Sequence, residues 1–333
     1  MDNKECRRRP FLRARTWRRR VLACVCVGIF SSPVLAQTIG GDITEPAQAP
    51  YLADGLNAKA NNQSVTASHE PDRTIQAQGK DQWAGFWTRQ TMLGDMWGLR
   101  PALGKYGITL NLSETSEYLN NLSGGIKRGG TYDGLTTANV VVDTQKAFGL
   151  DGGTFNVSVL QIHGRNLSQY NVGSIQTSSG IEADDATRLW ELWYQQTLMS
   201  GRMDIRLGQQ SIDQEFMNSP SLALFVNTMF GWPTVPSYDM PSGGPAYPLS
   251  ALGARVHYRF TDNLAVLAGV FDGNSTGANA SQDSQQVDRS GTKFNLRNGT
   301  LWIGELQYTL NQPSTGNLDT GTSDGLPGVY KLG

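Results

Sequence analysis

"TRLWELWYQQTLMSGRMDIRLGQQ", residues 187–210, holds two alternating runs separated by a short break. Trp190, Leu192 and Tyr194 alternate with Glu191, Trp193 and Gln195. Met203, Ile205 and Leu207 alternate with Asp204, Arg206 and Gly208. A period of two sends successive side chains to opposite faces of a strand, so each run reads as a strand with one apolar and one polar face. Ser200 and Gly201, within the link 198–203, are small residues suited to a hairpin turn. The stretch therefore predicts an antiparallel pair, with Glu191 and Arg206 on its polar face and placed to pair across it.

The same period recurs along the chain. Apolar residues stand at alternate positions at Ile108, Leu110 and Leu112, at Ala138, Val140 and Val142, and at Phe155, Val157 and Val159. It returns at Ala254, Val256, Tyr258 and Phe260, and at Trp302, Leu306 and Tyr308. Ahead of these, 86–108 predicts a short packing helix broken by Gly94, Gly98 and Pro101. The links at 147–155, 198–203 and 260–264 are short, whereas 124–134, 165–186, 216–248 and 271–293 are long and polar, with a further strand expected near 222–226. Short turns alternating with long loops mark a transmembrane β-barrel. Trp190, Tyr194, Tyr258, Phe260, Trp302 and Tyr308 fall on the apolar faces, as an interfacial aromatic girdle does. A soluble sandwich also alternates, but its core buries few tyrosines, because each hydroxyl needs a partner. The expected fold is all-β, an antiparallel transmembrane β-barrel. The alternative is an exported soluble β-sandwich that binds or hydrolyses glycans.

Residues 1–36 predict a signal peptide. Nine Lys and Arg precede the apolar run 21–30, and Val34-Leu35-Ala36 offers a small residue at the cut. All three cysteines (Cys6, Cys24, Cys26) lie in this segment, so the mature chain has no disulfide, thiolate metal site or Cys nucleophile. The segment also holds 9 of the 28 Lys and Arg and 2 of the 29 Asp and Glu, which leaves 19 basic against 27 acidic residues, a net charge of −8. An acidic exported chain has no basic face for phosphates, so nucleic acid is not an expected partner. Residues 37–85 are rich in Gln, Ala, Asn and Thr and predict a disordered periplasmic leader. The barrel is expected over 86–333.

"LGDMWGLRPALGKYGI" (93–108), "LQIHGRNLS" (160–168), "IEADDATRLWELWYQQ" (181–196) with "DIRLGQQSIDQEF" (204–216), and "GVFDGN" (269–274) occur in this order. Together they resemble the OprB-type carbohydrate-selective porins of Gram-negative outer membranes. The resemblance implies a barrel of about 16 strands through which sugars such as glucose diffuse passively. It implies loops folded inward and a constriction lined by charged and aromatic residues, with no cofactor and no enzymatic activity. Carbohydrate solutes and the lipid and lipopolysaccharide of the cell outer membrane are the expected partners, with homo-oligomers left open. The alternation supplies about nine or ten strands. "DGLPGVYKLG" (324–333) reads as the opening of another strand, with Tyr330 and Leu332 towards lipid and Lys331 towards the lumen. The expectation is that the chain is an incomplete version of a longer porin, since a last strand with a bare edge is not tolerated in hydrocarbon.

Alternation places Glu191, Arg206, Arg255, His257, Arg259, Glu305 and Lys331 on polar faces. The functional expectation is that they set the field of the lumen and hold sugar hydroxyls. The competing reading is that any water-filled lumen is charged. His257 has no His or Cys at ligand spacing, so no metal is expected, and His163 lies where the alternation becomes ambiguous. Asp184, Asp185, Glu191, Asp213 and Glu215 are the only thinkable glycosidase carboxylates, and solvated surface acids account for them better.

Overall fold

The computed structural model describes residues 91–218, 225–227, 232, 234–279, 281–294, 296–297, 299–311 and 328–333. The signal peptide 1–36, the leader 37–85 and most of the strand expected near 222–226 lie outside the described residues. Turns over 91–98 lead into a short helix α1 (Leu99–Gly104). Nine strands follow: β1 (Ile108–Asn121), β2 (Gly129–Asp143), β3 (Gly153–Gly164), β4 (Ala186–Leu198), β5 (Met203–Gln210), β6 (Ala251–Arg259), β7 (Leu264–Asp272), β8 (Thr300–Leu310) and β9 (Gly328–Leu332). Each pairs antiparallel with its sequence neighbours, so one sheet runs in the order β1 to β9. Its two edges are β1 and β9. Residues 129–134, expected in a loop, belong to β2.

Local chemistry explains the short connections. Between β2 and β3 the single turn α2 (Thr144–Phe148) is capped by the Asp143 carboxylate, which accepts from the N–H groups of Gln145 and Lys146 at 3.0 and 3.3 Å. It ends on Gly149 at φ 75°, the left-handed cap that suits glycine. Between β6 and β7 the Thr261 hydroxyl accepts from the N–H groups of Asn263 and Leu264 at 3.2 and 3.0 Å. The opposite ends of the strands carry the connections 122–128, 165–185, 211–250 and 273–299, of which all but the first are longer than the 144–152 link.

The registers sort the side chains into two faces. Leu110, Val140, Val157 and Leu192 are successive cross-strand partners on one face. So are Leu207, Ala254, Val270 and Trp302 on the same face. This face is bare, with Trp302 75% exposed. Among the described residues no second sheet covers it, which contradicts the sandwich alternative. A bare apolar surface of this extent marks a contact face, as the outer side of a membrane barrel presents. The other face is polar and is covered by the chain's own long loops. Two apolar clusters seal that contact. One joins Leu135, Leu160, Ile162 and Trp190 of the sheet to Ala183. The other joins Ala251, Leu267 and Phe271 to Ile212 and Phe216.

One aromatic departs from its expected face. The β3–β4 register slips so that Ser158 opposes Glu191 and Val159 opposes Leu189, which leaves Trp190 as an extra residue. This bulge turns Trp190 inward beside Glu191. It is 3% exposed and meets Tyr247 edge-on at 6.1 Å between ring centroids. The N–H of Leu189, freed at the bulge, donates to the carbonyl of Ser290 at 2.9 Å. Trp190 is therefore a core residue, and Trp302 and Tyr308 remain on the apolar face.

Leu207 lies within that face, flanked by Tyr194 and Ala254. Leu207→Arg should cost about 2–4 kcal/mol of folding stability in bilayers, measured as the denaturant midpoint of folding into lipid vesicles. An unchanged midpoint would show that this face does not meet lipid.

Candidate functional site

The centre of the polar face is a network of charges built by β4, β5, β6 and the segment after β5. Register sets Gln195, Arg206, Arg255 and Gly269 side by side on β4 to β7. The missing side chain of Gly269 leaves room for the Phe271 ring, which a Cβ there would meet at 2.4 Å. Into this field the chain turns back after β5 through a short helical turn (Ile212–Gln214). Ile212 and Phe216, one helical turn apart, bury their side chains against Ala251, Leu267 and Phe271. That anchoring carries Glu215 to a position between the two arginines. Its carboxylate lies 2.5 Å from Arg206 and pairs with Arg255. Arg255 also pairs with Asp204, whose second oxygen meets His257 Nδ1 at 3.1 Å. Arg206 donates to Gln195 Oε1 at 3.0 and 2.8 Å and lies over the Trp193 ring, 3.8 Å from its centroid.

Buried charges of this kind are tolerated only when paired and hydrogen-bonded. The Glu215 side chain is 11% exposed. Burial pushes its carboxyl up, but Arg206 and Arg255 outweigh that and hold it below the ordinary glutamate range. Two further ties hold the same segment. Ser211 N–H donates to Glu191 Oε1 at 3.2 Å, and Met217 N–H donates to Glu305 Oε2 at 2.7 Å.

All seven residues singled out in the sequence lie on this one face, but they do different things. Glu191, Arg206, Arg255 and Glu305 clasp the inward segment. His257 is held by Asp204, and Lys331 of β9 meets Glu305 at 3.2 Å. Arg259 lies at the short-turn end, where its guanidinium donates to the Gly201 carbonyl. The expected cross-hairpin pairing of Glu191 with Arg206 needs correction. Arg206 stands opposite Gln195, and its close carboxylate is Glu215. Glu191, Asp213 and Glu215 are not solvated surface acids. Glu191 accepts from Trp193 Nε1 and Ser211 N–H, and Asp213 from Ser211 Oγ. Asp204, Gln195 and Glu215 were missing from the expected site. Asp204 and Gln195 follow from the alternation, and for Glu215 the signal is the spacing of Ile212 and Phe216 around it.

A single antiparallel meander, bare and apolar outside, polar and loop-filled inside, defines the wall of a membrane β-barrel porin. Residues 127–333 match the sequence profile of the carbohydrate-selective porin, OprB family, and the chain belongs to that family. Porin B of Pseudomonas aeruginosa is 27% identical over 254 residues, covering 73% of this chain and 51% of that protein. The high-pH structure of Pseudomonas putida OprB superposes with a TM-score of 0.58 at 23% identity, covering 72% of this chain and 54% of that one. The chain thus spans about half the length of these relatives.

A carboxyl whose folded-state pKa is depressed stabilises above its unfolded-state pKa and loses that contribution as pH falls through the folded-state value. Hydrogen-exchange protection of residues 211–217 should therefore survive acidification through about pH 4.3, the free glutamate value, and fail only below it. Release at or above that pH contradicts the clasp. Glu215→Gln removes the charge shared by two buried guanidinium groups and should cost about 3–5 kcal/mol, read from the denaturant midpoint.

Proposed function

We propose that the chain forms the wall of an outer-membrane pore of a Gram-negative bacterium through which carbohydrates of the glucose type diffuse into the periplasm. The observation that carries this reading is the mutual pairing of charges on the inner face. Asp204, Arg206, Glu215 and Arg255 form one connected set, and Glu305 with Lys331 a second. Such a wall offers many donors and acceptors with little net field across it. A neutral polyol exchanges its water for these groups at low cost, whereas an ion gains no compensating potential. Glu191, Arg206, Arg255, His257, Arg259, Glu305 and Lys331 line the path. Those in the clasp act mainly by holding segment 211–217 against the wall, which sets the free width. Passage is facilitated diffusion, without a catalytic step or a cofactor. Residues 1–36 direct export and are removed, and the apolar face of Leu207 and Trp302 meets membrane lipid.

Vesicles reconstituted with the chain should swell faster in glucose than in a charged solute of the same size. Equal rates would leave a general pore, and no swelling would remove the reading. Arg255→Ala should also shift cation-to-anion selectivity more than Val256→Ala, as measured by reversal potential. The reverse order would mean that the faces are inverted.

A further inference from the structure

At the long-loop rim of β1 and β2 two acids stand directly opposite each other on the inner face. Glu117 of β1 is the register partner of Asp133 of β2. Partners on one face hold their Cβ atoms about 4.5–5.5 Å apart, and like charges at that spacing repel. Asp133 is 3% exposed and Glu117 is half-buried. The Ser179 hydroxyl donates to Glu117 and the Arg165 N–H to Asp133, but Asp133 Oδ2 and Glu117 Oε2 meet no hydrogen-bond donor. Thr131, two residues along β2 on the same face, is 7% exposed and its hydroxyl also lacks a partner. Asn171 borders this rim through its Nδ2 donation to the Gly129 carbonyl at 2.8 Å, and its buried Oδ1 is a fourth oxygen without a donor.

The surrounding charges deepen the deficit. Glu182 acts on both acids, and Asp185 acts on Asp133, all with the same sign. The Glu182 carboxylate is itself satisfied by the N–H groups of Ser168 and Ser178 at 3.1 and 3.3 Å, so it contributes field and no vacant oxygen. A proton shared between the two acids would satisfy two oxygens and leave the Thr131 hydroxyl and the Asn171 amide unanswered. A hard cation takes six to eight oxygens, so a site of this make-up suits it better.

We propose that Glu117 and Asp133 bind a divalent cation of the calcium type at this rim, with Thr131 Oγ1 and water completing its shell. Among the described residues no three acidic, His or Cys side chains converge as a metal centre. Two carboxylates with neutral oxygens make the weaker kind of site, with a dissociation constant of about 10⁻⁴–10⁻³ M. The cation would rivet the first hairpin at the mouth, where segment 166–172 packs against it through Asn171.

Calcium alone is the probe, added to the full-length chain in lipid vesicles after treatment with EDTA. Calorimetry should show one saturable site per chain, and calcium should raise the unfolding temperature. Asp133→Asn should weaken binding about tenfold or more, as should Glu117→Gln, while Asp184→Asn leaves it unchanged. In EDTA, Asp133→Asn should be at least as stable as the wild type, because one of two facing charges is gone, and this separates a lost ligand from a misfolded chain. Absence of saturable binding, or Asp133→Asn binding like the wild type, overturns the proposal. So does a wild type that ignores calcium but gains stability in mild acid, the mark of a shared proton. Sugar passage enters none of these readouts, so the cation site and the channel reading fail separately.

Discussion

Backbone N–H and C=O groups have no water to bond with inside hydrocarbon, so a chain that crosses it as strands must satisfy them strand to strand. This constraint orders everything else. It favours the unbroken antiparallel meander from β1 to β9, in which each strand pairs with its sequence neighbours. It makes the register exact to one residue, because a slip of one would exchange the lipid-facing and inner side chains of a whole strand. Where the register does slip, at Trp190, the freed amide of Leu189 is met by the carbonyl of Ser290. The slip also swings an indole from the lipid side into the core under Tyr247.

The inner face faces the opposite difficulty. Its strands carry arginines and carboxylates that burial would penalise severely if left alone. The chain resolves this with the segment after β5, which supplies Glu215 to Arg206 and Arg255 and is bolted down by Ile212 and Phe216. The same contacts that neutralise the inner face hold the loop segment against it. Charge pairing and loop anchoring are thus one device, in which Glu191 and Glu305 each grip a loop amide.

Much of this was legible in the sequence because a period of two is a strong, local signal. The strands around Leu110, Val140, Val157, Leu192, Leu207, Val256 and Trp302 and the polar side of all seven candidate residues follow from it. The hairpin turns at Ser200–Gly201 and Thr261–Asn263 follow from small and hydroxyl-bearing residues. What escaped depends on events without a period. A bulge is invisible to alternation, so Trp190 was assigned to the wrong face. Apolar residues on the polar face, such as Leu135, Leu160 and Phe271, have a purpose only once the loops that cover them are in place. The role of Glu215 needs the long-range return of its loop, and one residue of register decides that Arg206 stands opposite Gln195.

The central claim is that a single sheet holds its two faces in strict alternation, with one phase shift in β4. Single cysteines placed at each position of 188–195 and 252–258, labelled with a fluorophore and quenched by lipid-borne bromine, test it most directly. The account predicts quenching at Leu252, Ala254, Val256 and Tyr258 and little at Gly253, Arg255 and His257. In β4 it predicts quenching at Leu189, Leu192 and Tyr194, with Trp190 and Glu191 both protected. Quenching at Trp190, or no alternation along 252–258, would contradict it.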